Sequence, residues 1–278
     1  AITGASTFTV AGGRSITLGS NNTFSSTVTF TPSAGTIASV EINDSNAFDL
    51  QALTTTGNLT VTAGDDITDS GTVTVGGNFA ATTDASSGSI DLGDLAVDGT
   101  IALTTNSGGA AIVVNDAGLN FASSTVRGAL TATATAGDIT DSGVLTITGA
   151  STFRVADGEN ITLGSNNTFT GAVTFASGGT IASVEINDSN AFDIKPLTTT
   201  GNLTVTAGGD ITDSGTVTVG GDFAATTDAS SGAIDLGTLA VDGTIALTTH
   251  GTGAATVVND AAIEFAASTV GGALTATA

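Results

Sequence analysis

The heptapeptide GDITDSG occupies residues 137–143 and 209–215, and DDITDSG occupies 65–71, so paired aspartates return every 72 residues. The pairs are Asp66 with Asp69, Asp138 with Asp141, and Asp210 with Asp213. Brought together from neighbouring segments, they would offer ligands to Ca²⁺, a hard cation that takes about six to eight oxygens. Paired carboxylates also serve as the acid and base of glycoside hydrolysis. A third reading needs no ligand: the isoleucine between each pair points inward, and the aspartates at the chain corners accept backbone N–H bonds in local Asx-type turns.

Internal repetition weighs these readings. Glu41, Asp44, Asp49, Asp66, Asp69, Asp84, Asp91, Asp98 and Asp116 all return 144 residues later as Glu185, Asp188, Asp193, Asp210, Asp213, Asp228, Asp235, Asp242 and Asp260. Basic and imidazole groups do not return. His250 stands where the other copy has Asn106, Lys195 where it has Gln51, Arg127 where it has Gly271, Arg14 where it has Glu159, and Arg154 where it has Thr9. A Ser-His-Asp triad would depend on that single histidine. Polysaccharide-cleaving sites combine acids with basic groups or aromatic platforms, and this chain has no Tyr or Trp. The expectation is a protein without catalytic residues or cofactor, with Ca²⁺ at the repeated aspartates as the one metal to consider. No GGxGxDxUx nonapeptide or DxDxDG loop accompanies them.

Composition sets the frame for the elements that carry these residues. The 278 residues include 38 Gly and 12 Phe but no Cys, Met, Trp or Tyr, and the formal net charge is −22. Thr, Val, Ser, Asn and Asp favour strands and turns over helix interiors. So acidic a chain repels nucleic acid and anionic membranes. Without cysteine there is neither a disulfide framework nor a thiolate site. No apolar run approaches the ~20 residues of a membrane helix. The opening AITGASTF lacks the pattern of a signal peptide and begins inside a repeat, so an export signal is expected upstream of it.

Three periods are nested in the chain. ITGASTF at 2–8 returns at 147–153, and residues 37–134 match 181–278 at 82 of 98 positions, which divides the rod into units 1–145 and 146–278. VND at 114–116 follows IND at 42–44 by 72 residues, so each unit reads as two diverged halves. Glycine-led openings at 57, 77, 99, 128, 149 and 171 come before GNLTVTA returns at 201, a mean spacing of 24.

Within one such period, NLTVTA, DITDS and GTVTV alternate apolar and hydroxyl residues as strands do, with corners between them. Three short strands per coil of about 24 residues predict an all-β parallel β-helix (β-solenoid) whose coils stack at about 4.8 Å. About twelve coils would make a rod of roughly 55–60 Å. An antiparallel sandwich would not need the nested periods. The twelve Phe form six repeat pairs, 8/153, 24/169, 30/175, 48/192, 79/223 and 121/265, and are expected to be buried. Outward Thr files are too irregular for an ordered ice-binding array.

GNLTVTAGGDITDSG, SNNTFTGAVTF and INDSNAFDL resemble the repeats of filamentous-haemagglutinin-like exoproteins, the passengers of bacterial two-partner secretion. The likeness covers essentially the whole chain and is one of repeat style; the amino-terminal secretion domain of that family is absent from this sequence. It implies a right-handed parallel β-helix, export across the outer membrane, and use as an adhesin, biofilm matrix component or surface fibre. The resulting expectation is a secreted, extracellular structural segment that self-associates into filaments or bundles. The alternatives are an adhesin stalk that binds a cell-surface or matrix receptor, a calcium-stabilised fibre, and last a polysaccharide-active enzyme.

Overall fold

A computed structural model describes residues 1–84, 87–228 and 231–278. Its described elements are all β-strands, stacked in parallel as a β-solenoid. The reading of one coil as strand, corner, strand, corner, strand is borne out: NLTVTA, DITDS and GTVTV contain the strands Leu59–Ala63, Ile67–Asp69 and Val73–Val75. Leu59, Val61 and Ala63 are buried while Thr60 faces out, as a period of two requires.

The coil is shorter than expected. It takes about 21 residues, and the chain makes about 13 turns rather than twelve turns of 24. The glycine-led openings mark the coil but change face. Those at 57, 77 and 201 introduce Leu59–Ala63, Phe79–Thr83 and Leu203–Ala207, which lie in one stack, above Val40–Asp44. Those at 128, 149 and 171 introduce Leu130–Ala134, Ser151–Val155 and Val173–Ser177, which lie in the other, above Ala111–Asn115. Each change of face advances the motif by part of a turn, so counting openings undercounts coils.

Where the motif changes face, a five-residue strand must stack on two short ones. Thr100–Thr104 is covered by Leu119–Phe121 and Ser124–Val126, and Ala111–Asn115 pairs with Ile90–Val97 across a register shift between Leu92 and Leu95. One face of the rod runs from Ile16–Asn22 onward through Val40–Asp44 without a break in its ladder. The other is cut twice. Among the described residues, Val28–Pro32 pairs only with Ser6–Val10, and the next sheet starts afresh at Phe48–Leu50 and ends at Val173–Ser177. These cuts lie at equivalent places in the two copies.

Nine of the twelve Phe are buried; Phe8 and Phe175 are half-buried, and Phe265, on a strand near the carboxyl end of the rod, is 41% exposed. Phe153 meets Phe121, Phe169 and Phe175 at centroid distances of 6.3, 5.9 and 6.3 Å. Gly64 and Gly208 lie so close to the preceding coil that a Cβ would sit 2.0 Å from the carbonyl oxygens of Ser45 and Ser189. Only glycine fits there.

Candidate functional site

The six aspartates of the DITDS corners do not converge. Each reaches forward to the next coil. Asp66 Oδ1 accepts from Ser89 N at 2.7 Å and Ser89 Oγ at 2.8 Å, and these bonds hold its carboxyl below the usual range. Asp69 takes Gly93 N and Asp94 N at 2.9 and 2.8 Å. Asp138 takes Asn160 N at 2.7 Å, and Asp141 takes Ser165 N and Asn167 Nδ2 at 3.2 and 2.7 Å. Asp210 takes Ala233 N at 2.8 Å, and Asp213 takes Gly237 N and Thr238 N, both at 2.8 Å. The expected acceptor role holds, but the expected local Asx turn is replaced by a bond across coils, because a 21-residue coil puts the next corner directly above. Among the described residues, no group of three or more Asp, Glu or His lies together as a metal site would.

Two of the unrepeated side chains, His250 and Lys195, keep the contacts of the residues they replace. His250 Nδ1 donates to Thr227 O at 2.6 Å, and its counterpart Asn106 donates from Nδ2 to Thr83 O at 3.0 Å. Lys195 Nζ bonds Asp193 Oδ2 at 2.6 Å and Ser214 Oγ at 3.2 Å, where Gln51 Nε2 bonds Asp49 and Ser70.

Two buried aspartates, Asp44 and Asp188, lie beside the cuts in the ladder. Asp44 is 1% exposed; its Oδ1 accepts from Phe24 N at 3.1 Å, while Asn46 Nδ2 donates to Phe24 O at 2.9 Å. In the second copy Asp188 Oδ1 accepts from Phe169 N at 3.1 Å and Asn190 Nδ2 donates to Phe169 O at 2.9 Å. Burial pushes the Asp188 carboxyl up, against the pull of the backbone N–H groups of Phe169, Asn190 and Ser189. Two side chains thus stand in for the ladder at one phenylalanine, and beyond it the strands part.

The parting leaves a cleft in each copy. The first, about 380 Å³, is lined by Phe24 to Val28 and by Asp44 and Asn46 to Asp49. The second, about 270 Å³, is lined by Phe169 to Val173, Asp188, Ala191 to Asp193 and Lys195. Sequence reasoning found the recurrence of Asp44 and Asp188 but not their burial. The signal was the INDSN segment, where a polar residue falls on the inward beat of VEIND.

Residues 37–106, 108–176 and 181–238 match the repeats of unknown function DUF5649. The chain belongs to this family. Comparison with curated proteins and comparison with solved structures each return no match. The DUF5649 matches begin at 37, 108 and 181, close to the 72-residue period. Their limits also follow the fold. The second DUF5649 match ends inside Val173–Ser177 and the third begins at Ile181–Asp188, so the second cut lies at a junction between repeats.

Proposed function

We propose that this solenoid is a non-catalytic structural segment of a secreted bacterial surface or matrix fibre, of the filamentous-haemagglutinin-like kind its repeats resemble. The observation that carries the reading is the use made of the repeated carboxylates. All six corner aspartates bond the coil above them, and the histidine and lysine that break the repeat preserve the bonds of Asn106 and Gln51. Side chains that could do chemistry are spent on joining coil to coil, as a load-transmitting rod requires.

Cryo-electron microscopy of the native material tests this. Long filaments or bundles with a ~4.8 Å axial spacing, unchanged in chelator, are the expected result. Short isolated particles would overturn the fibre, and filaments that dissolve in chelator would turn it into a calcium-built one. Release of oligosaccharide from acidic or neutral glycans would overturn the non-catalytic reading. A second reading, an adhesin stalk with a cell-surface or matrix receptor, is favoured by the paired clefts, and saturable binding of the isolated segment to such a receptor distinguishes it.

A further inference from the structure

We propose that the strand Val28–Pro32 and its counterpart Val173–Ser177 are docking edges for an extended, uncharged segment of a partner polypeptide, which adds to either one as a further strand. This goes beyond a purely structural role. The edges arise because a wide coil lies under a narrow one. In the register of the continuous face 24 residues separate Ile16 from Val40, but 19 separate Val40 from Leu59. In the second copy 23 separate Ile161 from Val184, and 19 separate Val184 from Leu203. The narrow coil is too short to cover the surplus chain of the wide one, so a strand of the wide coil is left without a roof.

The direction of the free groups follows from the bonds below. Ser6 N donates to Thr27 O and Ser33 N donates to Val10 O, so the backbone groups of Thr29 and Thr31 bond the coil beneath and those of Val28 and Phe30 point upward. Ser151 N donates to Ala172 O, which likewise turns Val173, Phe175 and Ser177 upward. Among the described residues, no strand pairs with either upper edge. A row of unpaired N–H and C=O groups is a template for one more strand. Pro32 lacks the N–H that Ser177 has, so the second edge offers one donor more. Space lies above the first edge, with hollows of about 380 Å³ at Val28 and about 530 Å³ at Phe30 and Pro32. The wall of the larger includes Thr54 and, one coil higher, Thr74. On the second edge Phe175 is only half-buried. The ladder dictates the occupant. Inward residues of an added strand meet Val28 and Phe30 and must be apolar, while outward ones stack on Thr29 and Thr31 and suit hydroxyls. A net charge of −22 repels an acidic segment.

The capped peptide GNLTVTAGG, the chain's own residues 201–209, tests the assignment on the whole chain. It should bind saturably and slow hydrogen exchange at the amides of Val28, Phe30, Val173 and Phe175. In this solenoid a strand bonds the coil below through its outward residues and the coil above through its inward ones: Val184 N donates to Asn202 O, and Leu203 N donates upward to Asp222 O. N-methylation of the two threonine amides of the peptide should therefore weaken binding by roughly tenfold or more. N-methylation of its valine and alanine amides should leave binding unchanged. Val173→Pro removes an upward N–H and no bond to the coil below, so it should abolish the protection at Phe175 and leave that at Phe30, with unchanged exchange at Thr174 verifying the fold. Absence of binding, protection confined to the ends of the rod, equal binding of the two N-methylated peptides, or undiminished protection at Phe175 in Val173→Pro would each overturn the proposal.

Discussion

At the end of Ala111–Asn115 one side chain closes the ladder between coils, whereas at the end of Val40–Asp44 two are needed. Asn115 Oδ1 accepts from Val97 N at 2.8 Å and its Nδ2 donates to Val97 O at 3.1 Å and Gly118 O at 2.8 Å. One amide, which both accepts and donates, replaces a peptide unit of the missing strand. Asp44 sits at the matching place on its strand, the buried last residue, but an ionised carboxylate only accepts. Asn46 supplies the donor, and the chain is led away from the ladder to do so. The neutral solution keeps the sheet whole, and the charged solution coincides with a cleft. Copy two repeats the contrast, with Asn259 bonding Val241 N at 2.8 Å and the Asp188–Asn190 pair bonding Phe169.

Exchanging the two solutions gives the largest effect. Asn115→Asp removes the donor to Val97 O and places a charge in a wholly buried position, which should cost on the order of 3 kcal/mol. Solenoids unfold by neighbouring units, so a single melting midpoint is a poor measure. Aspartate still accepts from Val97 N and loses only the donor to Val97 O and Gly118 O, so the readout is hydrogen exchange at the amides around Val97 and Asn115, which reports local opening. Exchange as slow as in the native protein would show that Asn115 does not close the ladder.

Removing half of the two-residue solution should be milder. Asn190→Ala leaves Phe169 O without its side-chain donor and should cost about 1–2 kcal/mol, read as faster exchange around Phe169 and Phe192. Water entering the open cleft limits the loss, which is why it falls below that at Asn115. An effect as large as at Asn115 would mean the cleft is closed to solvent.

Asp188→Asn is expected to stabilise the protein by about 1 kcal/mol at neutral pH, since a buried charge becomes a neutral amide. Its pH dependence carries the sharper test. The folded pKa of Asp188 is raised by burial, so its contribution to stability is fully present below the unfolded value, near pH 4, and is lost as pH rises through the folded value. The advantage of the variant should therefore shrink on acidification through that window. Asp66, Asp157 and Asp222 are shifted down by hydrogen bonds from Ser89, Thr180 and Thr244, so their support is present above the unfolded value and is lost as pH falls through their folded values. They act alike in both proteins and cancel in the difference. A difference independent of pH would show that the Asp188 carboxyl is no harder to ionise in the fold than in the unfolded chain.

The same contrast marks what was legible in the sequence. Strand, corner and inward face follow from local alternation, so NLTVTA, DITDS and GTVTV were readable without the structure. Coil length was not. The glycine openings describe local chain direction, and nothing local tells that the motif has moved to another face between Thr100–Thr104 and Leu130–Ala134. For the corner aspartates the acceptor role was legible but the partner was not, since Asp69 bonds a residue 24 places on. The recurrence of Asp44 was visible as well, but its burial beside a cut ladder depends on the register of two coils, a long-range property. Asn115 escaped notice because an asparagine ending an apolar run reads as a turn residue.

The smallest effect is expected at a corner outside the cuts. Asp213 accepts from Gly237 N, Thr238 N and Thr238 Oγ1 at 2.8, 2.8 and 2.6 Å on an intact part of the rod. Its partners lie at the surface, so water replaces the carboxylate when Asp213→Ala removes it, and the loss should be about 1 kcal/mol or less. The backbone ladder there is unbroken, with Val217, Thr218 and Val219 paired to Leu239, Ala240 and Val241. Hydrogen exchange should rise at Gly237 and Thr238 and stay unchanged at Leu239 and beyond. Chelator should not alter the pattern in either protein. Loosening that spreads along the coil, or that a chelator reproduces in the native chain, would move the corner aspartates from joining neighbours to holding a cation that orders the rod, and would erase the distinction between cut and continuous faces.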